Sequence, residues 1–496
     1  MKLNEIDFNK LTDKELVMLC LKYKLITNDQ VSHVSRKMLL NLIGVFLKKK
    51  LQVYGQKNSR RLSISGNMQK HQINYQSNNN PPRANRERRM SQPITRVEKV
   101  EAVETHERNN IRQNSTNQVQ EQIKAQNPQY DLIGMYPPVK KLIAIGDLHG
   151  DLRVTLIALK LAEVIPQTAS ETDITNIHWS GGSTWVIQLG DQIDRCRPDD
   201  WEQNCLKDFD DVFEDEGNNM EIIKLFLRLD DEAKKYGGRL LGLLGNHEIM
   251  NVDKDFRYVS PKEFLEFVPE KDRTSKKTSD GYPLGYYHRV KAFERGSNMA
   301  KVYSIKKKSI MTVGSFLFVH GGVSQDLARK YTIPEINNVV SKWMCKNNND
   351  TEERMFDEIF RDDDDMSPFW CRIFAEEDNE GENTESNFNE LLRILNQKNK
   401  LLMPVKGMVI AHTPQFMENK YLNSIYNHRL WRIDVGMSRA FGKHRDCGED
   451  KYRQIQILVI HNNSTFEVRK KPFNSDRYPT SGIGGNVDLM NQQMPF

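Results

Sequence analysis

Five short apolar runs in this chain each break into a glycine-rich turn that carries a polar or charged residue, and they constrain the fold more than any other feature. The runs lie at residues 142–145, 185–189, 240–244, 316–319 and 408–410. They are too short for helices and have the composition of buried strands. They lead into Gly146-Asp147-Leu148-His149-Gly150, Gly190-Asp191-Gln192-Ile193-Asp194-Arg195, Gly245-Asn246-His247-Glu248, His320-Gly321-Gly322 and Ala411-His412-Thr413. A strand ending this way delivers a polar side chain to the carboxyl edge of a sheet, where open α/β folds gather their chemistry. The pattern predicts an α/β fold with one site assembled from five strand ends.

Four of the twelve histidines stand inside these motifs, interleaved with Asp and Asn, which points to a shared task. Phosphate monoester hydrolysis needs accelerations up to about 10²¹. Two cations about 3.5–4 Å apart can generate the hydroxide nucleophile and neutralise the phosphoryl oxygens together. Such a pair needs oxygen and imidazole ligands, one of them bridging, and Asp147, His149, Asp191, Asn246, His320 and His412 supply that set. No cysteine is placed to ligate, so mixed nitrogen and oxygen donors suit Mn²⁺, Fe or Zn²⁺.

On these motifs the chain resembles the calcineurin-like metallophosphoesterase superfamily, and within it the phosphoprotein phosphatase-like group, over roughly residues 140 to 460. The resemblance implies a β-sandwich flanked by helices, a four-layer α/β/β/α body. It implies Asp147, His149 and Asp191 on one metal, and Asp191, Asn246, His320 and His412 on the other. His247 matches the general acid, Asp194 its orienting partner and Arg195 a phosphate clamp. Ser367-Pro368-Phe369-Trp370-Cys371-Arg372 is similar to a signature of the Shewanella-like phosphatases, which makes Arg372 the second clamp, with a salt bridge to Asp362–Asp365 as the competing reading. Ala-His-Thr without a preceding arginine, and residues 433–438, also resemble that branch, and the toxin-binding signature of the main eukaryotic phosphatases is missing. One departure stands out: Cys196 follows Arg195 where the family usually has glycine. A positive φ there would strain the turn, and a thiol beside the site would be open to oxidation.

The remaining sequence predicts several segments. Residues 1–56 read as a small helical module similar to SAP-like or LEM-like modules, or as a simple docking hairpin. Residues 57–134 read as a disordered linker rich in Asn, Gln and Arg, with Arg60-Arg61-Leu62-Ser63 and Arg88-Arg89-Met90-Ser91 in basic kinase-like contexts. Residues 135–470 form the catalytic domain and 471–496 a tail. The first 100 residues hold 20 Lys/Arg against 7 Asp/Glu, and the rest 52 against 60. The basic end is therefore expected to meet a nucleic acid or protein partner. The six cysteines show no paired spacing, which predicts free thiols in a reducing compartment. No run is long and apolar enough for a membrane span or a signal peptide, so the expectation is a soluble intracellular protein of cytoplasm or nucleus, not a secreted one.

The leading functional expectation is a metal-dependent serine/threonine phosphoprotein phosphatase, with phosphotyrosine as a further substrate. A dinucleoside-polyphosphate or RNA-cap pyrophosphatase shares the same motifs and is the alternative. A catalytically dead scaffold is disfavoured because all expected ligands and the general acid are present. The acidic runs at 199–200, 208–216 and 362–365 would suit basic phosphopeptides, or form a solvated surface.

Overall fold

The five apolar runs are strands, and they divide between two sheets. The computed structural model describes Leu16 and residues 128–197, 205–206, 217–376, 381–415, 420–441, 454–472 and 487–488. Apart from Leu16, the module expected at 1–56 therefore lies outside the described residues, as does nearly all of the linker. The strands are β1 (Met135–Tyr136), β2 (Lys141–Ile145), β3 (Trp185–Gln188), β4 (Arg239–Leu243), β5 (Lys307–Lys308), β6 (Ile310–Val313), β7 (Phe316–Val319), β8 (Gly407–Ile410), β9 (Asn423–Ile425), β10 (Leu430–Arg432), β11 (Gln454–His461), β12 (Thr465–Pro472) and β13 (Val487–Asp488). One sheet has the order β1-β6-β7-β8-β10-β9 and the other β13-β12-β11-β2-β3-β4-β5.

Parallel pairing of β2 with β3 and of β3 with β4 follows from the helices that connect them, because a parallel step needs a crossover. The first helix, Leu152–Leu161, starts at Asp151, whose carboxylate accepts the Val154 N–H at 3.1 Å. The second, Asn219–Ala233, buries Ile222, Ile223, Leu225, Phe226 and Leu229 on one face and runs through a 3₁₀ turn into Gly237 at φ +77°. Both helices lie on the outer face of their sheet in one apolar cluster with Ile143, Val186 and Leu240. The inner faces of the two sheets meet in a second cluster, in which Leu142, Trp185, Ile187 and Leu241 pack with Val313, Phe316, Phe318, Val409 and Trp431. A third cluster covers the outside of the other sheet with the helices Ile333–Met344 and Glu385–Lys398. The order is helix, sheet, sheet, helix, as the resemblance implies.

The catalytic body closes with a hairpin. β11 and β12 pair antiparallel from Gln454↔Pro472 to His461↔Thr465, closed through Asn462, Asn463 and Ser464, the first two left-handed at φ +49° and +61° and the third with its N–H on His461 O at 3.0 Å. Two boundaries differ from expectation. A helix, Pro128–Ile133, falls inside the stretch assigned to the linker, and Asp131 on it accepts from Tyr136 Oη at 2.8 Å and Arg239 Nη1 at 2.9 Å. Part of the expected tail also returns to the sheet, where Val487 and Asp488 pair with Arg469 and Val468.

Trp185 sits at the centre of the inter-sheet core. It is fully buried, lies edge-on to Tyr136 at 5.4 Å, and donates its indole N–H to Gly237 O at 3.0 Å. Trp185→Ala is expected to cost about 3–5 kcal/mol of stability, read as a lowered urea midpoint. An unchanged midpoint would show that the two sheets are not held together here.

Candidate metal and phosphate site

Every motif leaves the carboxyl end of its strand: Asp147 and His149 after β2, Asp191 to Arg195 after β3, Asn246 and His247 after β4, His320 after β7 and His412 after β8. The loops approach so closely that side chains are excluded at some positions. A Cβ on Gly245 would lie 2.1 Å from Asp191 Oδ1, and one on Gly190, which has φ +95°, would lie 2.5 Å from Gly245 N. His149, Asp191, Asp194 and His412 hold left-handed backbone at φ +43°, +53°, +71° and +68°, a conformation that costs non-glycine residues energy and gathers at functional sites.

The ligand set converges on Asp191. Its Oδ2 is 3.2 Å from His320 Nε2, 3.9 Å from His149 Nε2 and 3.8 Å from His247 Nε2. His149, Asp191 and His247 could hold one ion and Asp191, His320 and His412 another, all of them buried. Asn246 Oδ1 lies 2.9 Å from His320 Nε2, and Asp147 Oδ2 3.8 Å from His149 Nε2. His320 Nδ1 faces Leu189 O at 2.8 Å and His149 Nδ1 faces Ile193 O at 3.4 Å. Donation through Nδ1 turns each Nε2 lone pair toward the centre. Both Asp147 carboxylate oxygens and His412 Nε2 are buried without a hydrogen-bond partner, which fits donors meant for a cation.

The electrostatics fit as well. Burial, then Asp434 and Asp191, raise the Asp147 carboxyl well above its usual range. Burial pushes Asp434 up to about 6, against the hydrogen bond from Gly436 N. Burial would also raise Asp191, but His320, His247 and His149 hold it well below the usual range. Burial followed by Arg197 lowers His149, and burial followed by Arg372 lowers His412. Neutral imidazole is the form that binds metal.

Beside this centre, His247 Nδ1 meets Asp194 Oδ2 at 2.9 Å. Asp194 is fully buried, accepts from Asn251 Nδ2 at 3.0 and 2.8 Å, and pairs with Arg289 Nη2 at 3.0 Å. The Arg289 guanidinium is itself boxed by the rings of Phe256, Phe264, Phe267 and Phe293 at 5.0–5.8 Å. Glu263 accepts the Arg195 N–H at 2.9 and 3.0 Å, and Glu248 accepts the N–H groups of Asp191, Gln192 and Gly245 at 2.9, 2.9 and 2.7 Å. Arg372 donates to Trp370 O at 3.2 Å. Its charge bears both on His412 and on Asp364, whose carboxyl burial raises and Arg372 lowers. Trp370 stands edge-on to the His412 ring at 5.4 Å.

The cysteine expectation is corrected. Cys196 and Cys205 form a disulfide, while Cys345 and Cys371 are free. Scattered spacing hid the pair because only the fold brings Cys205 back, with its N–H on Arg257 O at 2.8 Å beside the Cys196 N–H on Tyr258 O at 3.0 Å. Cys196 is not among the positive-φ residues, so the strain considered for a glycine replacement does not arise. Among the described residues, no helix is long and apolar enough to cross a membrane. The site also recruits Arg197, Glu248, Glu263, Arg289 and Asp434, to which the motifs assign no role. Glu248 and Arg197 stood inside or beside a motif, but nothing in the sequence marked Glu263 or Arg289.

Removing the Arg289 cation strands a buried carboxylate. Arg289→Leu is expected to lose about 3–5 kcal/mol in urea unfolding, and Arg289→Leu combined with Asp194→Asn to recover part of it. Additive losses would show that the two groups are not coupled.

No protein-family model matches the chain. Shewanella-like protein phosphatase 2 of Arabidopsis thaliana is 29% identical over 327 residues, covering 61% of this chain and 72% of that protein. Shewanella-like protein phosphatase 1 of Plasmodium berghei is 26% identical over 326 residues, 64% of this chain and 75% of that one. Among solved structures, the cold-active protein-tyrosine phosphatase of a psychrophilic Shewanella aligns with 68% of this chain and 79% of its own at 19% identity and a TM-score of 0.43. The chain is thus similar to proteins named as protein phosphatases, and the buried aspartate, asparagine and histidine gathered from five strand ends of an α/β/β/α body fit the donor set that the metallophosphoesterase resemblance implies.

Proposed function

We propose that the chain is a two-metal protein phosphatase that releases phosphate from serine and threonine side chains. The observation that carries this reading is the sharing of Asp191 by two groups of cation donors, one of which includes His247, an imidazole oriented by the buried Asp194 carboxylate. Asp147, His149 and Asp191 would hold one ion, and Asp191, Asn246, His320 and His412 the other. Bound there, Mn²⁺, Fe or Zn²⁺ supplies activation of water and charge neutralisation at phosphorus. Arg195 and Arg372 offer the paired N–H donors that hold phosphoryl oxygens. With Nδ1 engaged by Asp194, His247 carries its transferable proton on Nε2, the nitrogen that faces Asp191, and gives it to the departing oxygen. An aliphatic alkoxide is a poor leaving group and needs that proton more than a phenolate does, which favours serine and threonine esters. The relatives named as protein phosphatases support a protein substrate.

His247→Asn is expected to lower kcat on a phosphoserine peptide about 10²–10⁴-fold, with much less effect on an activated aryl phosphate and none on metal content. Equal activity of wild type and variant on the peptide would remove the acid assignment. In a substrate panel, phosphoserine peptide should turn over faster than diadenosine tetraphosphate or capped RNA. The reverse order would favour a pyrophosphatase.

Metal should also hold the fold together, because it binds the native donors alone. Dialysis against a chelator should abolish turnover and lower the melting temperature, and Mn²⁺ at about 100 times its Kd should return about 2.7 kcal/mol. A melting temperature insensitive to both treatments would argue that no cation sits among these residues.

A further inference from the structure

Arg197 has no role in the assignments above, yet its side chain enters the centre. Its Nη2 lies 2.7 Å from Nδ1 and 2.9 Å from Nε2 of His149. Its Nη1 is anchored on the carbonyls of Asp194 and Cys196 at 3.2 and 2.8 Å. The guanidinium lies 5.4 Å from the Tyr258 ring and 4.9 Å from the Phe441 ring, and the residue is 7% exposed. The backbone beneath it is tied down by the Cys196–Cys205 disulfide and by the Cys196 N–H on Tyr258 O. This cation is built into the wall of the site.

Its contact with His149 does not survive a working centre. Neutral imidazole has one acceptor nitrogen. Once Nε2 gives its lone pair to a metal and Nδ1–H points at Ile193 O, His149 has nothing left to accept a hydrogen bond. A guanidinium stays charged and carries five donors, so Nη2 needs another acceptor next to the ligand it has left. The group that arrives there during turnover is the phosphoryl group, which is rich in acceptor oxygens.

We propose that Arg197 is a third phosphate-binding arginine, which donates Nη2 to a phosphoryl oxygen while Nη1 stays fixed on the Asp194 and Cys196 carbonyls. The inference rests on the phosphatase reading, and it adds a contact to the substrate phosphate and to the inorganic phosphate product. The anchored geometry makes the donor pre-positioned, so its effect should fall on binding more than on chemistry.

The test uses metal-reconstituted full-length wild type, Arg197→Met and Arg197→Lys. Inorganic phosphate binding is measured by calorimetry, metal content by elemental analysis, and KM and kcat on a phosphoserine peptide. For Arg197→Met, phosphate Kd and peptide KM should both rise about 10- to 100-fold, the scale of one hydrogen bond to a charged group. The fall in kcat should be smaller, and metal content should match wild type. Arg197→Lys should recover only part of the affinity, because an ammonium cannot span the two carbonyls and the phosphate together; the same variant keeps the charge in the wall if the methionine variant folds poorly. Unchanged phosphate affinity in both variants of an active enzyme would overturn the inference and leave the phosphatase reading intact. Tighter metal binding in Arg197→Met with unchanged phosphate affinity would also overturn it, since Arg197 would then only compete for His149. A wild type that neither binds phosphate nor cleaves any phosphate ester would remove both readings together.

Discussion

Asp147, Asp191 and Asp434 lie buried beside one another, and the site depends on how their charge is compensated. An isolated carboxylate moved out of water loses solvation that only a counter-charge or a proton can replace. Here the protein supplies part of the answer itself. Asp191 is held ionised by the imidazoles around it. Asp147 and Asp434 are not: burial drives both toward the protonated form, with Asp434 and Asp191 repelling Asp147 and Asp191 repelling Asp434. Cations inserted among the three reverse that balance, since the charge that repels a second carboxylate attracts a metal. Ligand placement and metal demand are thus the same physical fact viewed from two sides.

Strand ends alone do not hold such a cluster in register. Two further buried glutamates do, and neither is placed as a ligand. Glu248 takes the N–H groups of Asp191 and Gln192 from one loop and Gly245 from another, so the second and third motifs share a single carboxylate as their backbone acceptor. Glu263 does the same for Arg195 and Ser260 and also receives Asn219 Nδ2 at 2.5 Å. Left-handed backbone at His149, Asp191, Asp194 and His412 is an expense of a few kcal/mol. The hydrogen bonds that Glu248 and Glu263 accept and the sandwich beneath them hold it in place. The geometry of the centre is therefore carried by residues around the candidate donors as much as by the donors themselves.

Much of this was legible in the sequence because a buried strand and its functional end leave a compact local signature. Short apolar runs such as Phe316–Val319, closed by His320 and two glycines, gave both the strand and the residue it delivers. The apolar face of Ile222, Ile223, Leu225, Phe226 and Leu229 and the Asn462-Asn463 pair are local marks of the same kind, one of a helix and one of a turn. Contacts made across the chain left no such mark. Arg289 lies 95 residues from Asp194 and looks like any helix arginine until the fold buries it among four phenylalanine rings. Cys196 and Cys205 are nine apart in a stretch with no disulfide pattern, and their pairing depends on the Arg257–Tyr258 segment arriving from elsewhere. Arg197 was hidden by proximity: beside Arg195 it reads as one more basic residue in a polar loop.

The charge pattern resolves once the site is separated from the body. Residues 101–496 carry 52 basic against 60 acidic side chains, which would repel a phosphate dianion if spread evenly. The arginines near the centre are not spread evenly. Arg195 and Arg197 come from one loop and Arg372 from another, and their charges are felt by Asp151, His149 and His412 respectively. Two divalent ions set among ionised Asp147, Asp191 and Asp434 would leave a surplus of about one positive charge before any arginine is counted. A small cationic pocket in an acidic body concentrates field lines at its mouth.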